Sequence, residues 1–224
     1  AYTRNGNPAE LRVPGEPGEY DVRYILQASD GEKVMATEPL TLTPAEVTMD
    51  HVDTIALGKM LEVAWTGPGH KLDYIDIVDR GHREPSDELS YAYTRDDILE
   101  LRLPAEPGDY DVRFIITASD GNQVAARQPL TIVDAPASLT GPNAAAAGSL
   151  QEINWEGPGS NQDYIDIVPR GKQLPKDSIT YAYTRNGDPV EIRMPDEAGE
   201  YDLRYIHVGS DKRVVKARRE ITVE

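Results

Sequence analysis

The sequence contains no cysteine. That excludes disulfides, thiolate metal sites and cysteine nucleophiles together, and it leaves the compartment open. No window approaches the uninterrupted apolar run of a membrane span. No signal peptide is visible. Positive charge is scarce: 23 Lys and Arg stand against 39 Asp and Glu, a formal net charge of −16. Such a surface repels nucleic acid and anionic lipid. It suits a non-sticky exterior, cation binding, or a salty or extracellular medium. No convincing helical stripe is present. The one helix-friendly patch, Ala144 to Ala147 between Pro142 and Gly148, reads as a linker or an irregular first strand.

What is present is repetition. Trp65-Thr-Gly-Pro-Gly69 returns as Trp155-Glu-Gly-Pro-Gly159, and Asp73-Tyr-Ile-Asp-Ile-Val78 returns at Asp163 to Val168, both offset by 90. Tyr20-Asp-Val-Arg-Tyr24, Tyr110-Asp-Val-Arg-Phe114 and Tyr201-Asp-Leu-Arg-Tyr205 are offset by 90 and then 91. The chain divides into a C-terminal half-unit (1–44), a full unit (45–134) and a second full unit (135–224). The first unit is expected to belong to a longer array. A sharper alternative is a polymer in which another molecule supplies the strands in front of Ala1, although the last unit offers no spare front half.

Within each unit, apolar residues alternate with polar ones. Leu99-Glu-Leu-Arg-Leu103, Ala9-Glu-Leu-Arg-Val13 and Val190-Glu-Ile-Arg-Met194 all do so. Period two marks a half-buried strand. Turn signals such as Gly67-Pro68-Gly69, Pro107-Gly108 and Asp120-Gly121 separate the runs. About seven short strands in about 90 residues predict an all-β sandwich. In the second unit the strands are expected near 47–49, 61–65, 74–78, 91–95, 99–103, 110–118 and 124–133. Pro129 should force a bulge or an edge position.

A Trp ending the second strand, a Tyr beginning the third and Gly-x-Tyr-x-Val opening the sixth resemble the fibronectin type III and wider immunoglobulin-like sandwich. The resemblance implies tandem Ig-like/fibronectin type III-like modules. It also implies that Tyr20, Tyr110 and Tyr201 form tyrosine corners, whose hydroxyls bond back to a turn. The fuller phrase, Trp-x-Gly-Pro through Pro-Gly-x-Tyr-x-Val-Arg-Tyr, is similar to tandem modules beside von Willebrand factor A domains in bacterial envelope proteins. That similarity implies an extracellular, periplasmic or cell-envelope setting, and partners that are other protein domains or copies of the chain.

Candidate sites follow from chemistry. Asp76 and Asp166 invite an acid–base or calcium reading. Ile75 and Ile77 claim the buried face, so the aspartates are expected to point outward and pair with Arg113 and Arg204 at about 0.2–1 kcal/mol. Asp30, Asp120 and Asp211 lie in Ser-Asp turns that suit either a hairpin or calcium at unit junctions. Trp65 and Trp155 belong to the core face. Tyr91 with Tyr93, and Tyr181 with Tyr183, form either core or an exposed aromatic ledge for a glycan or protein partner. Lys212, Arg213, Lys216, Arg218 and Arg219 crowd the last strand, either guarding an edge or docking on an acidic surface. The histidines do not recur between units and are expected on the surface. No residue set converges on catalysis and no cofactor is implied. The expected function is a non-catalytic array that spaces, adheres or assembles. The rivals are a glycan- or peptide-binding module and a filament subunit. Short joints at Thr43-Pro44 and Asp134-Ala135-Pro136 favour semi-rigid rods.

Overall fold

The computed structural model describes residues 1–174 and 177–224. Alternation in sequence becomes strand. In the segment Ile98–Arg102, Leu99 and Leu101 are buried while Glu100 is exposed. The second unit holds two facing sheets. One has three strands in the order β3 (Thr48–Asp50), β5 (Met60–Thr66), β8 (Ile98–Arg102). The other has five in the order β4 (Thr54–Ala56), β10 (Gly121–Val133), β9 (Gly108–Ala118), β6 (Tyr74–Asp79), β7 (Ser90–Tyr93). Leu61, Val63, Leu99 and Leu101 from the first sheet meet Ile75, Ile77, Val112, Phe114 and Leu130 from the second.

The third unit repeats this plan. Its small sheet runs β11 (Ser138–Thr140), β13 (Leu150–Glu156), β16 (Val190–Arg193). Its large sheet runs β12 (Ala144–Ala145), β18 (Arg213–Val223), β17 (Gly199–Val208), β14 (Tyr164–Pro169), β15 (Thr180–Tyr183). Each of these two full units is thus an all-β, immunoglobulin-like sandwich. The expected strands are all present within a few residues. The sequence reading lacked β4, a short strand that lies parallel to β10. The alanine patch supplies its counterpart, β12, which is parallel to β18. The irregular-strand option for Ala144 is therefore the one realised.

The N-terminal half-unit contains one antiparallel hairpin, β1 (Gly18–Ala28) and β2 (Gly31–Leu42). All three such hairpins skip one residue at the same place: Met35, Ala125 and Lys216 are passed over in the pairing. A bulge of this kind bends and twists the strand. It sits four residues before Pro129, so Pro129 does not cause it. Pro129 pairs with Asp111 on one side, and β4 joins β10 only from Thr131 onward. The missing proline N–H therefore falls on an edge.

The turn after each tryptophan is shaped by close approach. A Cβ on Gly67 would lie 2.8 Å from the Phe114 ring, and one on Gly157 would lie 2.6 Å from the Tyr205 ring. Trp65 and Trp155 tilt onto those same rings at 5.6 Å and donate their indole N–H to Asp96 O and Gly187 O. Both tryptophans are half-buried against the core rather than sealed in it.

Candidate functional site

The outer face of the large sheet departs from expectation. Asp76 pairs with Arg113, and Asp166 with Arg204, as the alternation predicts, but all four side chains are completely buried. The guanidinium of Arg113 holds both Asp76 oxygens at 2.9 and 2.6 Å, and Arg204 holds Asp166 at the same distances. The loop after β6 folds over the pair and offers carbonyls, with Glu84 O 2.6 Å from Arg113 Nη1. Asp111, also buried, anchors that loop by accepting from the Gly81 N–H and from Arg127. Asp202 does the same with Gly171 and Arg218. The outward, weakly paired aspartates of the sequence reading are thus corrected to sealed ion pairs. A face that alternation marks as polar is here roofed by a loop. Burial pushes the Asp76 carboxyl up, against the opposing pull of Arg113. Hydrogen bonding to Asp166 pushes Arg204 up. Both pairs lie inside a folded unit, out of reach of a substrate.

A second buried carboxylate was not singled out from sequence. Asp73 accepts from the His70 and Thr117 backbone N–H groups. In the third unit Asp163 accepts from Ser160, Val208 and the Tyr205 hydroxyl and contacts His207 Nδ1 at 2.9 Å. His207 is therefore buried, which corrects its expected surface position. It replaces Ile116, and Tyr205 replaces Phe114, so the two polar groups arrive together around one aspartate. The readable signal was the recurrence of Asp73 and Asp163 just before the third strand.

The tyrosines form ledges. Tyr91 and Tyr181 are 51% and 58% exposed. Ala92 and Ala182 between the paired tyrosines turn inward to the core. Tyr91 stands edge-on to Tyr93 at 5.6 Å and to Tyr74 at 5.9 Å. Tyr181, Tyr183 and Tyr164 repeat the cluster at 5.4 and 5.7 Å. Arg95 and Arg185 cap the second tyrosine of each pair at 5.0 and 4.1 Å from the ring centre. Burial pushes the hydroxyls of Tyr74 and Tyr164 up, so they stay protonated. Arg213 joins Tyr164, Ser178, Tyr181 and Tyr183 around a hollow of about 230 Å³.

The turn aspartates serve the joints between units. Tyr20, Tyr110 and Tyr201 donate to Glu16 O, Glu106 O and Glu197 O, each at 2.9 Å, which makes them tyrosine corners. Each corner presents a backbone carbonyl and, two residues on, a backbone N–H. At the first joint Ser119 N donates to Val13 O and Gly15 N donates to Asp120 Oδ1, both at 3.0 Å. At the second joint Ser210 N donates to Leu103 O at 2.9 Å and Ala105 N donates to Asp211 Oδ1 at 2.8 Å. Asp30 instead pairs with Lys33 at 2.8 Å. The three aspartates lie in three separate turns. Among the described residues no group of three acidic or histidine side chains is placed to hold a metal.

The basic last strand is largely engaged within the chain. Lys212 reaches Glu106 at 2.8 Å, and Lys216, the bulge residue, reaches Asp134. Both pairs strengthen the second joint. Arg218 binds Asp202, and Arg219 binds Gly141 O and Asn143. Arg213 faces the third unit's tyrosine hollow. A cavity of about 310 Å³ at the first joint is lined by Leu11, Val13, Pro68, His70 and Ile116 among others.

No helix is long and apolar enough to cross a membrane among the described residues. No family model and no curated protein matches the chain. Among solved structures it is similar to the FN1-FN3 domains of chicken CNTN1, at 13% identity over 91% of this chain and 75% of that one, with a TM-score of 0.29. It is also similar to a marsupial T cell receptor, at 12% identity over 81% and 73%, with a TM-score of 0.28. The strand order itself places both full units among the immunoglobulin-like sandwiches.

Proposed function

We propose that the chain is a non-catalytic series of sandwich units, 1–44, 45–134 and 135–224, from a larger extracellular or envelope protein, acting as a spacer, adhesion or assembly element. One observation carries this reading: both joints are built by the same two backbone-directed hydrogen bonds, so the relation between neighbours repeats along the chain. This fold hosts many functions, so the reading rests on the joints and not on the fold. The polar clusters that could suggest chemistry are spent on closing loops. The absence of native cysteine allows a clean test. Spin labels at Glu62→Cys and Glu152→Cys, both on exposed positions, should give a narrow distance distribution. A distribution as broad as that of units on a free linker would sink the reading.

The paired tyrosine ledges favour a second reading, in which the array displays a glycan- or peptide-binding surface at each unit. Aromatic rings with one polar tip suit such partners. Shifts confined to Tyr91, Tyr93, Tyr181 and Tyr183 during titration with an oligosaccharide or peptide library would support it, and their absence would remove it. The apolar face of the β1–β2 hairpin favours assembly through strands from a neighbouring chain. Sedimentation at rising concentration tests that filament reading: a constant monomer mass would exclude it.

A further inference from the structure

The two tyrosine ledges match in their rings and differ in their charge. In each full unit the inner ledge tyrosine pairs with the first residue of the third strand, Tyr93 with Tyr74 and Tyr183 with Tyr164. Three residues before the open ring stands Glu88 in the second unit and Ser178 in the third. In the β9–β10 hairpin Thr117 pairs with Asn122, and at the matching place in β17–β18 Val208 pairs with Arg213. Asn122 Nδ2 lies 3.4 Å from the Tyr74 hydroxyl. Arg213 replaces it with a longer, charged arm beside Tyr164. The hydroxyls register the exchange. Tyr74 is pushed up by burial, then by Asp76 and Glu88. Tyr164 is pushed up by burial as well, but Arg213 is the strongest influence drawing it back.

The third-unit ledge is also concave. Its hollow of about 230 Å³ is bounded by Tyr164, Ser178, Tyr181, Tyr183 and Arg213. An adjoining hollow of about 250 Å³ shares Tyr164, Tyr183 and Arg213 and adds Gln162 and Arg185. Arg213 therefore stands where the two meet. Lys212, Lys216 and Arg218 of the same basic run each hold a carboxylate, whereas Arg213 forms no ion pair among the described residues. Arg185 is committed elsewhere, over the Tyr183 ring at 4.1 Å and to Asn161 O at 3.2 Å. Arg213 is thus the cation left for a ligand. A guanidinium grips a carboxylate through two parallel N–H bonds. The rest of the first hollow offers the hydroxyls of Tyr164, Ser178, Tyr181 and Tyr183, each able to donate and to accept. Apolar ring carbon lies between those hydroxyls. A sugar ring needs the same mixture, since its hydroxyls donate and accept while its C–H faces rest on aromatic carbon.

We propose that the third-unit hollow is a site for a sugar that carries a carboxylate, of the hexuronate kind, and that the second-unit ledge rejects such a sugar. Arg213 takes the carboxylate, and the hydroxyls of Tyr164, Ser178, Tyr181 and Tyr183 take those of the ring. At the second ledge Glu88 stands in the place of Ser178 and repels the same group. The net charge of −16 disfavours densely charged polymers, so the fitting ligand is a glycan with isolated carboxylates. The site rests on the glycan reading of the ledges and adds which unit binds and what charge it selects.

The test titrates the full chain with three compounds and follows the tyrosine ring resonances. The compounds are the disaccharide glucuronosyl-galactose, its neutral counterpart glucosyl-galactose, and an end-capped Gly-Asp-Gly peptide. The acidic disaccharide should shift Tyr164, Tyr181 and Tyr183 and leave Tyr91 and Tyr93 in place. It should bind about tenfold or more tightly than the neutral one, as expected for a hydrogen-bonded charge. Arg213→Asn and Ser178→Glu each copy the second unit, and each should remove that advantage while Trp155 fluorescence keeps its folded signal. Equal binding of the two disaccharides, or an advantage that survives in Arg213→Asn, would overturn the acidic site and leave the ledge reading standing. The capped peptide binding as tightly as the acidic disaccharide would overturn the sugar class. No shift at either ledge with any of the three would defeat the ledge reading, and this site with it.

Discussion

The β1–β2 hairpin and its counterparts β9–β10 and β17–β18 have nearly the same pattern, the same bulge and the same corner, yet their surroundings differ completely. Phe114 and Tyr205 are fully buried, while Tyr24 at the same position is 48% exposed. Arg113 and Arg204 are sealed against aspartates, while Arg23 lies open. Leu26, Val34 and Met35 also face solvent. The comparison teaches that these strands carry their own twist, turn and register, whereas burial is conferred by the facing sheet and the roofing loop.

The largest break in that comparison comes from the arginine. Arg113→Ala leaves Asp76 buried and unpaired, which should cost about 3–5 kcal/mol in the second unit. Arg23→Ala should change stability by less than about 0.5 kcal/mol, as for an exposed site. Urea unfolding followed by Trp65 fluorescence, in a Trp155→Phe background, measures the first. An equal, small effect at both sites would refute the distinction. Nearly as large, Phe114→Ala should cost about 3–5 kcal/mol through lost burial and the cavity left behind. Tyr24→Ala should be close to neutral when urea unfolding of the whole chain is followed by far-ultraviolet circular dichroism. Smaller again, Tyr110→Phe removes the corner hydrogen bond and should cost about 1 kcal/mol.

The smallest effect sharpens the comparison at the second joint. The hydrogen bond from Lys216 holds the Asp134 carboxyl below its ordinary 3.8. Its folded value is depressed, so the contact contributes above pH 3.8 and fades as pH falls through the lowered value. Hydrogen bonding to Glu106 holds Lys212 above its ordinary 10.5, so that contact is complete below 10.5 and fades as pH rises through the raised value. Both pairs are exposed enough for salt to weaken them. Protection of the Ser210 amide, relative to free-peptide exchange at the same pH, should therefore fall slightly at acidic and alkaline extremes and in high salt. The first joint has neither lysine contact and should respond less.

Much of the fold was legible. Leu99, Leu101, Ile75 and Ile77 lie on the predicted inner faces because alternation forces neighbours to opposite sides of a strand. The tyrosine corners, the pairing of Asp76 with Arg113 and the aromatic ledges were also visible as patterns. Period two says that the two tyrosines of each ledge share a face and not which face is covered, so core and surface both fit the sequence. Alternation puts Asp76 and Arg113 outside, and nothing local announces that residues 80–89 fold back as a lid. The burial of His207 is equally silent in the sequence, because its partner Asp163 lies 44 residues earlier.

Sequence alone determined the period of the units, the strands and their inner faces, since these follow from local periodicity and turn chemistry. Tertiary structure decided which polar face was sealed, which aromatic pair stayed open and which backbone groups meet at the joints. Those outcomes depend on contacts between segments far apart in the chain, which leave no local signature.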